Sequence, residues 1–111
     1  MTGESQMPQA RIERRDTRSY HVQGAMTFDS VTNLWRQSED MFSDDGLIRI
    51  DLAEVTRTDS GGLALLIEWL REAGRRGTRV EFLNLPDQLR ALAGAANLSE
   101  ILGVKEDGSS A

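Results

Sequence analysis

Residues 47–52 (Leu-Ile-Arg-Ile-Asp-Leu) alternate apolar and polar side chains. A short connection and a long helical period follow, and then a second alternating run at residues 79–84. This strand–helix–strand order constrains the chain more than any other feature. Neighbouring strands joined by a helix must run parallel, and the crossover between them is right-handed. Ile48, Ile50 and Leu52 share one face of the first strand, and Val80 and Phe82 share one face of the second.

The flanking segments extend this unit. Residues 10–15 and 19–23 read as two strands joined around Asp16-Thr17, with Tyr20 and Val22 alternating against polar neighbours and Gly24 closing the second. Thr27 offers an N-cap, with Asp29 in the first turn. Phe28, Val31, Leu34, Trp35 and Phe42 then recur at helical spacing to about Phe42, and Asp44-Asp45-Gly46 breaks that helix. Residues 53–58 read as a loop. Asp59 or Ser60 caps a helix running to about Gly74, and Gly77 ends the connection. Pro86, at a first helical position, opens a third helix whose stripe is Leu89, Leu92, Ala93 and Ala96, with Asn97 as its stop. Leu98, Ile101, Leu102 and Val104 supply a last turn and a possible short terminal strand. The order is ββαβαβα, an α/β sandwich with a mixed sheet. Residues 10–104 form one domain between two polar tails, 1–9 and 105–111, that read as disordered.

Composition narrows the function. Only 5% of residues are aromatic, so the core rests on Leu, Ile, Val and Ala. A net charge of −5 argues against a nucleic-acid binder. The absence of Cys excludes disulfides, thiolate catalysis and thiolate-held metals. The first residues lack the apolar stretch of a cleavable signal, and the longest apolar run, within residues 63–67, is far too short to span a membrane. A soluble cytoplasmic protein is expected.

Arg57-Thr58-Asp59-Ser60-Gly61-Gly62-Leu63 is the richest segment, since it follows a strand and opens a helix. Free N–H groups collect there and suit an anion, or simply a cap. Two glycines in a first turn cost about 1 kcal/mol each against Ala, which points to close approach of another backbone. No Gly-Lys-Ser/Thr follows, so this is not a P-loop. On a helical wheel, Leu63, Leu66, Ile67, Leu70 and Gly74 fall on one stripe, read as the core face. Leu65 and Trp69 fall opposite, with Gly61, Glu72 and Arg76, and an outward apolar pair is expected to anchor a partner.

Other candidates carry less. Asp51 ends a strand as a phospho-accepting Asp would, but the preceding strand brings only His21-Val22-Gln23-Gly24, and the single Lys, Lys105, lies in the tail. Asp40, Asp44 and Asp45 lack calcium-loop spacing. His21 has no nucleophile or acid partner evident in the sequence. No catalytic, cofactor or metal site is expected, and the chain reads as a non-enzyme.

Residues 47–52 together with Thr58-Asp59-Ser60-Gly61-Gly62-Leu63 resemble the core of STAS domains. The run from Asp59 to Leu66, the Leu34-Trp35 pair and the short length resemble the STAS accessory subunits of phospholipid ABC transporters, also met under toluene-tolerance names. The likeness covers about residues 19–102. It implies a sheet with helices mainly on one side and a role without catalysis. It also implies binding to the transporter's ATPase subunit, in a complex with a permease and a lipid-binding subunit at the inner face of the inner membrane. It places the partner contact at Thr58, Asp59, Ser60, Gly61 and Gly62, to which the wheel adds Leu65 and Trp69. Such subunits often carry Thr where Ser60 stands. Asp59-Ser60 is also similar to the phosphorylated pair of anti-sigma-factor antagonists, which implies a switch by phosphorylation of Ser60. Gly61 and Ala64 depart from that pattern, which usually has a second hydroxyl residue and often a Gly there.

Overall fold

A computed structural model describes residues 10–42 and 46–103. The tails assigned to 1–9 and 105–111, the break at Asp44-Asp45 and the apolar Val104 lie outside the described residues.

Among the described residues four strands form one sheet in the order β1-β2-β3-β4: β1 (Arg11–Asp16), β2 (Ser19–Met26), β3 (Gly46–Thr58) and β4 (Thr78–Leu83). The β1–β2 hairpin is antiparallel, and the other two pairings are parallel. Among the described residues two helices connect the parallel strands, α1 (Val31–Gln37) and α2 (Ser60–Arg76), and a third, α3 (Asp87–Ala95), follows β4. The expected mixed sheet and parallel β3–β4 pair are therefore present.

Alternation sets which sheet face is covered. Val22, Ile48, Ile50 and Leu52 are buried against the helices, with Phe82 beside them on β4. The opposite face is polar and cross-linked. Gln23 bonds Glu13 and Glu54, Arg15 pairs with Glu13 and Glu54, and Arg49 pairs with Glu81 at 2.9 Å.

Several sequence expectations need correction. Residues 53–58 are not a loop, because β3 runs on through Thr58. Gly24 does not close β2. It takes φ 94° inside the strand, at one of two register shifts against β3. The first helix is shorter than its apolar spacing suggested. It starts at Val31, so Thr27 and Asp29 precede it, and it ends at Gln37. The Ser30 hydroxyl donates to Ala25 O (2.7 Å) and accepts from Thr27 N–H (3.0 Å), which folds residues 27–30 into a compact turn. Phe42 is buried beyond α1, in the turn that follows it.

α2 starts where its cap suggests and runs two residues past the expected Gly74, to Arg76. Asp59 is the N-cap, and Gly77 closes the helix in the left-handed region at φ 77°. Its buried face is turned from the expected one, however. Gly62, Leu66, Trp69 and Ala73 form the central stripe, flanked by Leu63 and Leu65. Ile67 and Leu70 are only partly buried, and Gly74 is exposed. Trp69, at 0% exposure, belongs to the core. The cause is a second cover: α1 and the connector before it lie against α2, so the Leu65–Trp69 side is enclosed as well.

Candidate functional site

The β3–α2 junction is built from residues with separate tasks. Thr58, 3% exposed, donates its hydroxyl to Met26 O at 2.8 Å and so ties the end of β3 to the end of β2. Asp59 follows in an extended conformation, and its Oδ1 accepts from Gly61 N–H at 2.7 Å, the capping bond of α2. The same carboxylate accepts from Phe28 N–H, at 3.2 Å to Oδ1 and 3.4 Å to Oδ2. One side chain thus fastens the helix start to the β2–α1 connector.

The two glycines are explained by that connector. A Cβ on Gly61 would stand 2.7 Å from Phe28 N, and one on Gly62 would stand 2.2 Å from Thr58 Oγ1 and 2.7 Å from Met26 O. The backbone that approaches closely is this chain's own, in residues 26–28.

Ser60 is left over from this scheme. It occupies the first helical position, is exposed, and its hydroxyl makes no hydrogen bond among the described residues. The cap is Asp59, so the hydroxyl is available. Next to it lies an apolar groove of about 370 Å³ between α1 and α2, lined by Phe28, Val31, Trp35, Gly61, Ala64 and Leu65, with Thr32 and Glu68 as its polar members. Ala64 is one turn from Ser60 on the same exposed side. Phe28 is 66% exposed and Trp35 36%.

The structure therefore brings Thr58, Asp59, Ser60, Gly61 and Gly62 together, and adds Met26 and Phe28 to them. It does not bring Leu65 and Trp69 to the surface. Leu65 lines the groove at 4% exposure, and Trp69 is wholly buried and does not line it. The Trp69 indole N–H has no hydrogen-bond partner among the described residues. The sequence reading places Phe28 and Trp35 only in the helical spacing of the first helix and not among the contact residues. A signal was present in Leu34-Trp35, because neighbours on a helix point about 100° apart and a short helix buries only one of them.

Asp51 and His21 lie elsewhere, on the polar sheet face. Seven residues of strand, about 23 Å, separate Asp51 from Thr58. His21 Nε2 is 3.9 Å from Asp51 Oδ2. Burial pushes the Asp51 carboxyl up, but hydrogen bonds from the Asn84 side chain (3.0 Å) and Ala53 N–H (2.9 Å), with His21 and Arg15 nearby, outweigh it and hold the group below its ordinary value. On α2, Arg75 and Arg76 both hold Glu72, which lowers its carboxyl too. Among the described residues no group of three His, Asp or Glu side chains could hold a metal ion, and no helix is long and apolar enough to cross a membrane.

Comparison with known proteins gives a consistent picture. A family model described as "Mlab, STAS domain" matches residues 13–103. The chain is 34% identical over 77 residues to the intermembrane phospholipid transport system binding protein MlaB of Escherichia coli K12, covering 69% of this chain and 77% of that protein. The Shigella flexneri protein of the same name matches to the same extent. A solved structure titled "Crystal Structure Analysis of Mglu" aligns with a TM-score of 0.55 and 28% identity over 67% of this chain, which corresponds to 19% of that much longer chain.

Proposed function

Since the chain belongs to the STAS domain family in its MlaB form, we propose that it is a non-catalytic subunit that docks onto the ATPase of a phospholipid ABC transporter and supports its activity. The observation that carries this reading is the free, exposed Ser60 hydroxyl beside an apolar groove walled by exposed Phe28 and Trp35. Exposed aromatics next to an unused polar group suit a partner that buries the first and bonds the second. The partner is an MlaF-like ATPase, in a complex with a permease and a lipid-binding subunit. The chain reaches the inner face of the inner membrane through it. The relatives' names, those of a phospholipid transport system, favour this partner over others.

The docking residues are Ser60, Phe28, Trp35 and Ala64, and Thr58, Asp59, Gly61 and Gly62 form the setting that holds Ser60 in place. Leu65 contributes from the groove lining, and Trp69 supports the helix from the core. A second reading keeps Ser60 as a phosphorylation site in an anti-sigma-factor antagonist, favoured only by the availability of its hydroxyl.

The test is a binding titration with the purified ATPase of the same cell, alongside a pull-down from that cell. Because Asp59 is the cap, Ser60→Asp leaves the fold intact and puts an unpaired charge into the contact. Stable protein that no longer binds the ATPase is the expected result. Normal binding by this variant would refute docking at Ser60, and capture of a sigma-regulator kinase instead would favour the second reading.

A further inference from the structure

The Asp59 carboxylate lies between two segments that are distant in sequence. Its bond to Gly61 N–H fixes the start of α2 and hence Ser60; its bonds to Phe28 N–H fix the connector that carries the exposed aromatic ring. The space for this arrangement is provided by Gly61, where a Cβ would collide with Phe28. Among the described residues no other hydrogen bond holds the Phe28 backbone: its neighbours in the turn are tied among themselves, through Thr27 and Ser30. Phe28, 66% exposed, would otherwise sit on a four-residue turn with little to fix its direction.

We infer that Asp59 is a positioning residue, whose carboxylate holds Phe28 in register with Ser60 so that the two present one docking surface. This rests on the docking reading above, and it adds a division of labour. Asp59 touches no partner. It sets the spacing between two groups that do. The same logic explains why an acid is used where Ser or Asn would cap equally well. The carboxylate has no donor: Oδ1 accepts from both Gly61 and Phe28, and Oδ2 also faces the Phe28 N–H as an acceptor.

Asp59→Asn separates these tasks. The amide oxygen still caps α2, while the amide nitrogen, in place of Oδ2, turns a donor toward the Phe28 N–H 3.4 Å away and repels it from the shared oxygen. Asp59→Ser is the second variant, with a good cap and a side chain too short to bridge. Amide hydrogen exchange of the free protein is read first. In both variants the Phe28 amide is expected to exchange about tenfold faster or more, with Gly61 unchanged. Affinity for the ATPase is read second, as a double-mutant cycle with Phe28→Ala. Asp59→Asn alone is expected to weaken binding about tenfold, and to weaken it no further once Phe28 is Ala. A purely structural Asp59 would lower the melting temperature and give additive losses. Additive losses, or wild-type exchange at Phe28, overturn the inference. If the wild-type chain does not bind the ATPase, the docking reading falls on that ground, and exchange at Phe28 still decides whether Asp59 holds the connector.

Discussion

Gly62 and Gly74 lie in the same helix, and replacing either by Ala should have opposite effects. Gly→Ala in a helix gains up to about 1 kcal/mol from the restricted unfolded chain and better propensity. At Gly74 nothing lies within 4 Å of the new Cβ, so the gain stands alone. At Gly62 the Cβ would meet Thr58 Oγ1 at 2.2 Å and Met26 O at 2.7 Å, both well inside contact distance. Thr58 cannot rotate away freely, because its hydroxyl is bonded to that same Met26 carbonyl and the residue is buried. Backbone must therefore shift, at an overpacking cost of about 3 kcal/mol or more. The net expectation is a loss of about 2 kcal/mol for Gly62→Ala and a gain of about 0.5–1 kcal/mol for Gly74→Ala. Near this chain length 1 kcal/mol moves the melting temperature by about 4 °C. Calorimetry should thus separate the two variants by about 10 °C. Equal melting temperatures, or a more stable Gly62→Ala, would refute the claim that the second glycine exists to admit the end of β2.

Further outcomes can be checked on the same protein. Trp69→Ala should cost about 3–5 kcal/mol of unfolding free energy in urea titration, because a wholly buried ring is removed; a change below about 1 kcal/mol would return Trp69 to the surface. Phe28→Ala should leave the melting temperature within about 2 °C and weaken ATPase binding about thirtyfold, the effect of a hot-spot aromatic, as isothermal titration would show. For Asp51, the folded pKa lies below the unfolded one, so the unfolded chain takes up its proton first as pH falls. The stabilisation is complete above about pH 4 and is lost through the lower folded value. Asp51→Asn should flatten the stability–pH curve below about pH 4, and an unchanged acid slope would contradict the assigned hydrogen bonds.

The sequence and the structure agree most closely where local signals are regular. Alternation defines the first half of β3 and most of β4, and the cap at Asp59 or Ser60 marks the start of α2, whose end lies two residues beyond the expected Gly74. The second half of β3 was missed for a physical reason. With register shifts against β2 at His21/Gln23 and Gly24/Ala25, the inward residues Leu52, Val55 and Thr58 come three apart, not two, and so do not read as a strand. α1 looked too long because Phe42 falls at helical spacing from Leu34 and Trp35, although it is buried by a turn. The error on α2 came from counting aliphatic side chains. Gly62 and Ala73 are small enough to lie deepest, and only the tertiary placement of residues 26–28 and α1 shows that the Trp69 side is covered. The candidate site was half visible: its α2 half lay in one motif, while Phe28 and Trp35 came from a segment more than 20 positions earlier.

That Asp59 caps the helix while Ser60 does not has an evolutionary consequence. Folding constrains Thr58, Asp59, Gly61 and Gly62 through bonds and clearances that few other residues satisfy. Position 60, in the midst of them, is almost free of such demands, since a first helical residue with its side chain in water tolerates most substitutions. Selection can therefore act on the contact residue through the partner alone. A lineage could exchange serine for threonine, or lose the hydroxyl and later regain it, without passing through an unfolded intermediate. The scaffold around position 60 would persist while the partner it serves was exchanged for another.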